Sequence, residues 1–287
     1  CLVDDKELLF NEEDHIYTKD GKILRSVSGV IKLLKSFADF DKIAYFSERK
    51  RCEEQGITVT EEELQELGKL KAFEWKDKAE DRSKLGTMVH NAIEYFENNG
   101  YVENENQTTF IPFLNKLHKF FEDYYCSYNE FRVSLEGVAG TMDKACQRTS
   151  SQKSIVDVYD YKTNVTDEGK QNIKFDSIKR MKDSIKHYNR YLLPPVEFME
   201  DCSYNYYSIQ LNLYAYMLEQ FHNVKIGRLG IISIKFDWIN RIPVDFDVLP
   251  VYYNRPMAEA IFKHVRNIIP LPTMAVKEAV EAGDDDW

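Results

Sequence analysis

Two aspartates and a lysine stand at spacings that suit metal-assisted hydrolysis of a phosphodiester. Asp160 and Lys162 flank Tyr161 at the end of the apolar run Ile155-Val156-Asp157-Val158-Tyr159. On a strand, residues two apart share a face, which sets a carboxylate beside an ammonium. Asp143 closes the stretch Gly140-Thr141-Met142-Asp143, 17 positions before Asp160. The polar segment Gln147 to Lys153 separates two strand-like runs, and a hairpin turning there sets Asp143 opposite a position near 158, within reach of Asp160. Hard carboxylate oxygens bind Mg²⁺ or Mn²⁺, which activates water and neutralises charge on phosphoryl oxygens. An adjacent lysine orients the attacking water and offsets charge in the transition state.

Several elements must position these groups. A helix is expected from Ser83 through Leu85, Val89, Ile93 and Phe96 to a stop at Asn98-Asn99-Gly100, where glycine supplies a left-handed cap. His90, Glu94 and Glu97 share its neighbouring face. A lone helical histidine is usually a core or surface residue, so the role of His90 rests on its surroundings. A second helix runs from about Thr108 to Cys126, followed by strand-like runs Phe131 to Gly137, Ala139 to Cys146 and Ser154 to Tyr161. A helix from Tyr206 to Phe221 places Tyr207, Gln210, Tyr214 and Leu218 on one side, and Leu229 to Phe236 alternates as a strand. A terminal helix is expected at Ala275 to Ala282. Ahead of these, Asp20-Gly21 turns a short hairpin and Ser26 and Ser28 offer capping hydroxyls to a helix. Thr60-Glu61-Glu62-Glu63 opens another, and Trp75 packs between helices or stacks on a base. The expected organisation is an accessory lobe over 1–82 and an α/β core over 83–287.

The chain has 287 residues, 43% of them apolar, enough for one large core or a core with an appended lobe. No segment is long and apolar enough for a membrane span and no signal-peptide pattern opens the chain, so it reads as soluble and cytoplasmic, in the host cytoplasm if phage-encoded. Five scattered cysteines, never paired as CxxC, signal neither a disulfide framework nor zinc. A net charge of -10 argues against a general nucleic-acid binder. One basic island opposes that balance: Lys170 to Arg190 holds seven cations, Lys174, Lys179 and Lys182 among them, against two acids. It is either a solvated face or a DNA path. The tail Asp284-Asp285-Asp286-Trp287 joins acids to an aromatic ring, and is read either as a solubilising end or as a dock for a replication or recombination protein.

Four stretches in order, Gly86-Thr87-Met88-Val89-His90, Gly140-Thr141-Met142-Asp143, Asp160-Tyr161-Lys162-Thr163 and Gln210-Leu211-Asn212-Leu213-Tyr214, resemble the RecB-like branch of the PD-(D/E)xK nucleases. Leu24-Arg25-Ser26-Val27-Ser28 is similar to a Ser-Val-Thr segment of phage and mitochondrial genome-maintenance exonucleases. The resemblance implies a restriction-endonuclease-like core with a mixed central sheet flanked by helices, plus an N-terminal hairpin-and-helix lobe. It implies a Mg²⁺- or Mn²⁺-dependent DNA exonuclease of replication, recombination or repair. The alternatives are a structure-specific endonuclease of the same family, or a silent pseudo-nuclease that binds DNA or a partner. Asp143, Asp160 and Lys162 then take catalytic roles. His90, Asp143, Asp160 and Tyr161 form the metal set. Gln210, Tyr214, Thr163, Ser26, Ser28, Lys174, Lys179 and Lys182 meet the substrate. No proline precedes Asp143, Ser28 replaces a threonine, and without a cysteine quartet no iron–sulfur cluster is expected.

Overall fold

The structure, a computed structural model, describes residues 2–11, 14–35, 39–148, 154–163, 173 and 191–268. The basic cluster Lys174, Lys179 and Lys182, the expected helix at 275–282 and the tail Asp284–Trp287 lie outside the described residues. Within them the chain is mixed α/β, with an eight-stranded mixed sheet and six α-helices. No described helix is long and apolar enough to cross a membrane.

The sheet opens with β1 (Leu9–Asn11), β2 (Ile16–Lys19) and β3 (Lys22–Ser26). Asp20 and Gly21 both take positive φ, 51° and 70°, the two-residue turn that an Asp-Gly pair favours. Strands β4 (Cys126–Leu135) and β5 (Val138–Gln147) form a hairpin about Glu136-Gly137, and β5 returns antiparallel to β6 (Ile155–Lys162). β7 (Lys225–Asp237) runs parallel to β6, and β8 (Ile242–Val251) closes the edge. The path is β1-β2-β3-β5-β6-β7-β8, with β4 also on β5.

Strand β4 covers one side of β5 over most of its length. The other side is shared: β3 meets only Val138 and Ala139, in parallel, and β6 meets only Lys144 to Gln147. Between those contacts β3 and β6 diverge, leaving a fork along Gly140–Asp143.

Helices cover both faces. α1 (Val27–Leu34), α5 (Ser203–His222) and α6 (Arg255–Ile268) pack Val27, Ile31, Ile209, Leu213, Met217 and Ile261 against Val133, Val158 and Ile231 in one continuous core. Each such side chain contributes roughly 1.5–3 kcal/mol by leaving water. On the opposite face α4 (Ile111–Phe121), entered through a 3₁₀ turn at Glu105–Phe110, sets Phe120 and Phe121 edge-on to Tyr159 at 5.7 and 5.5 Å. α4 is shorter than the helix expected over 108–126, because the chain is already in β4 at Cys126.

The expected helix start at Ser83 does not exist. α3 runs unbroken over Glu61–Asn99, opened by Thr60, whose hydroxyl accepts from Glu63 N–H while Glu63 reaches back to Thr60 N–H. An ion pair between Lys84 and Glu80 at 2.5 Å spans Ser83 within the continuous helix. The boundary expected at 82/83 also falls elsewhere. The described chain divides at residues 36 and 88 into two compact units, one formed by the segment before 37 with that from 89 onward, the other by 37–88. The reason is pairing: β3 joins β5, so the N-terminal hairpin extends the main sheet and is not part of a lobe apart from it. The 37–88 unit holds α2 (Phe40–Gln55), capped by Asp39, and the first part of α3, with Trp75 half-buried.

Candidate active site

The fork brings the two aspartates together. The β5–β6 register ends at Lys144↔Tyr159, so the next residues outward, Asp143 and Asp160, face each other where the strands part. The partner expected for Asp143 was near 158. The true register is displaced by two because Gln147, read as the start of the loop, is still in β5 and pairs with Val156. Tyr161 N–H, no longer bonded to β5, donates to Asp143 Oδ2 at 2.6 Å, which fixes that carboxylate.

Asp160 and Lys162 share a face, as period two requires, and Lys162 Nζ lies 2.6 Å from Asp160 Oδ2. The ammonium also sits 4.8 Å from the centre of the Tyr207 ring on α5. Asp160 is 1% exposed, and its Oδ1 has no hydrogen-bond partner among the described residues. From α3, His90 brings Nδ1 to 3.7 Å from Asp143 Oδ2, with its ring edge-on to Tyr161 at 5.8 Å. Tyr161 therefore supports both residues, by its main-chain N–H and by its ring.

Glu130 is a member that the sequence reading did not find. Ligand atoms of His90, Glu130 and Asp143 all lie within 4.8 Å of one another, a group able to hold a metal ion. On β4, Asn129 pairs with Lys144 and Phe131 with Met142, so Glu130 falls opposite Asp143, but the ladder skips that pair. Glu130 has φ 46°, a left-handed conformation costing about 1–2 kcal/mol in a non-glycine residue, and such strain gathers at functional sites. A signal existed. Counting back along the hairpin from the turn at Glu136-Gly137 sets Glu130 across from Asp143.

The electrostatics show what the cluster lacks. Burial, with repulsion from Asp143, Glu94 and Asp160, pushes Glu130 up to about 8. Burial raises Asp143, and burial with the charge of Asp143 pushes Asp160 up to about 6. Burial opposes the charge on Lys162, but Asp160 and Asp143 outweigh it and hold its pKa above the ordinary lysine value. Burial and the Lys162 charge push His90 down to about 4, leaving a neutral imidazole, the form that ligates metal. Three crowded carboxylates, one of them with an unpartnered oxygen, and one neutral imidazole fit a hard divalent cation. The nitrogen donor suits Mn²⁺ slightly better than Mg²⁺.

The remaining candidates occupy different places. Tyr214 is 5% exposed and its ring lies against Gly140, where an added Cβ would stand 2.6 Å from Tyr214 Cε1. Gln210 Nε2 donates to Tyr214 Oη at 3.3 Å, so this pair props the backbone of the Gly140–Asp143 stretch. Tyr17 on β2 adds a hydroxyl contact to Thr141 at 3.0 Å. Ser26 caps α1 by accepting from Gly29 N–H at 2.9 Å, and its hydroxyl meets that of exposed Ser28 at 3.0 Å. Ser26 pairs with Ala139, four residues before Asp143, about 13 Å along the strand at roughly 3.3 Å per residue. Thr163 is half-buried just past the end of β6. Among the described residues, Cys52, Cys126, Cys146 and Cys202 form no disulfide.

Compared with known protein families the chain matches none, and it matches no curated protein.

Proposed function

We propose that this chain is a divalent-metal-dependent DNA exonuclease with a restriction-endonuclease-like core, of the RecB-like PD-(D/E)xK kind. The convergence of Asp143 with the Asp160–Lys162 pair at the fork of β5 and β6 carries this reading. His90 and Glu130 supply further donors to the same place. A divalent cation held there would neutralise charge building on the phosphoryl oxygens and make water more acidic.

The protein's own groups do the rest. Asp143, anchored by Tyr161 N–H, and Asp160 present oxygens to the cation. Lys162 is charged at neutral pH, held by Asp160 and Tyr207, and placed to orient water and balance transition-state charge. Tyr214 and Gln210 fix the backbone that carries Asp143. The half-buried Thr163 and the hydroxyls of Ser26 and Ser28 are the described groups assigned to the nucleic acid strand.

The test uses end-labelled single- and double-stranded DNA, blocked in turn at each terminus, with Mg²⁺ or Mn²⁺. Loss of label that depends on a free end and on the cation supports the exonuclease. Cutting of closed circular DNA would reassign the chain to the endonucleases. DNA binding without cation-dependent cutting under any of these conditions would make it a binding protein.

A further inference from the structure

One buried ion pair has no part in the chemistry above. Lys144, the residue after Asp143, has a fully buried side chain, and its Nζ lies 2.6 Å from Oε2 of Glu97, itself 5% exposed. The same Nζ donates to Asn129 Oδ1 at 2.8 Å and lies 4.8 Å from the centre of the Phe121 ring. Asn129 in turn donates from Nδ2 to Asn98 Oδ1 at 2.9 Å. The second oxygen of Glu97 faces His118 Nδ1 at 3.0 Å.

Such a pair is weak evidence for stability, since desolvating two charges offsets most of their attraction, and apolar replacements of both are often neutral or better. What apolar packing lacks is direction. The members of this network are placed where direction matters. α3 supplies Glu97 and, two turns earlier at about 10 Å by helical rise, His90. β5 supplies Lys144 next to Asp143, and β4 supplies Asn129 next to Glu130. The three elements that supply His90, Asp143 and Glu130 thus each contribute a member to the network, while β6, which carries Asp160, joins it through the pairing of Tyr159 with Lys144.

Granted the metal site proposed above, we infer that Glu97, Lys144 and Asn129 are positioning residues that fix α3, β5 and β4 relative to one another, so that His90, Asp143 and Glu130 converge on one cation. Hydrogen bonds from one ammonium to both α3 and β4 set the rotation and height of the helix against the hairpin. Without them the apolar contacts remain but the donor atoms spread.

The experiment measures Mn²⁺ affinity by electron paramagnetic resonance, and thermal stability in EDTA, on the full chain. In Glu97→Leu/Lys144→Met, Mn²⁺ affinity falls about 10- to 100-fold while the Tm in EDTA is kept, because supporting residues of a metal site act at that scale. The bound-Mn²⁺ spectrum also changes, which a purely structural role would not produce at unchanged Tm. Wild-type affinity and spectrum in that variant overturn the inference. Should the double variant fail to fold, Asn129→Ala severs the link to β4 alone: weaker Mn²⁺ binding at unchanged Tm supports the inference, and unchanged binding overturns it. If the wild-type chain shows no Mn²⁺ binding that Asp143→Asn removes, the metal-site reading itself fails and the positioning role falls with it, an outcome distinct from failure of the variants alone.

Discussion

Strand β5 differs between its two ends. Over Lys144–Gln147 it is paired on both sides, to β4 and to β6. Its charge there is answered by Glu97, and Gln147 accepts from the Tyr128 hydroxyl at 2.9 Å. Over Gly140–Met142 it is paired with β4 alone, and neither register includes Asp143. Backbone groups at this end are met by side chains, Tyr214 against Gly140 and Asp143 on Tyr161 N–H, and the carboxylates repel one another. The paired end holds the fold together. The open end stores unfavourable charge that a bound cation would relieve.

The sharpest way to break this contrast is to change the charges at the open end. Asp160→Asn or Lys162→Ala should lower the cleavage rate by on the order of 10²–10³-fold, the effect of removing one preorganised electrostatic group. DNA binding, followed by fluorescence anisotropy with Ca²⁺, should be largely retained. Full turnover in Asp160→Asn would end the nuclease assignment. His90→Ala should be milder, weakening Mn²⁺ by about 10–100-fold, with activity partly recovered at high Mn²⁺. A variant that no concentration of Mn²⁺ rescues would give His90 a role beyond ligation.

Backbone packing offers a smaller effect. Gly140→Ala drives a methyl into Tyr214 and should cost about 1–3 kcal/mol in denaturant unfolding, with loss of activity as Asp143 shifts. The reverse change at the paired end, Ala145→Gly, should cost about 0.5–1 kcal/mol for the added backbone freedom, more with the lost methyl, and spare activity. Equal losses of activity in the two variants would erase the distinction between the ends.

The smallest expected effect is on pH dependence. Asp160 and Glu130 have folded-state values of about 6 and about 8, above their ordinary 3.8 and 4.5. Between those limits the folded protein keeps protons that the unfolded chain has released, but His90, held at about 4 against its ordinary 6.5, works the other way over the lower part, so cation-free stability should fall as pH rises from about 6.5 to about 8. Mn²⁺ needs the deprotonated groups, so the rise in Tm that it produces should grow over the same interval. Glu130→Gln should flatten the upper part of the EDTA curve and raise Tm at pH 8, by about 2–4 °C per kcal/mol of relieved repulsion. Parallel curves for wild type and variant would show that neither burial nor its neighbours raise the Glu130 carboxyl.

Residues that announce themselves by spacing were legible: Asp160 with Lys162, the hairpin turn at Asp20-Gly21, the cap at Ser26 and the helix stop at Asn98-Asn99-Gly100. Glu130 was not, because its relation to Asp143 is one of register, visible only once the turn at Glu136-Gly137 is fixed. β8 alternates Ile242, Val244, Phe246 and Val248, yet Pro243 and Pro250 speak against a strand. It is tolerated because β8 lies at the sheet edge, where a missing N–H has no partner to lose. α6 carried the marks of a helix start, Asn254 accepting from Met257 N–H at 3.1 Å and Pro256 in the first turn, and these went unread. The false start at Ser83 shows the opposite error. A residue that can cap does not do so where the helix on each side is already continuous.

The left-handed backbone at Glu130 bears on how this molecule can be improved or lost. A glycine there would relax the main chain and remove an acid that its neighbours repel, so both changes favour the cation-free fold. Selection for heat resistance alone, in a laboratory library or in a lineage released from its task, should therefore replace this acid early. The survivors would be sturdier proteins with a weakened metal site, a trade between durability and activity concentrated at a single codon.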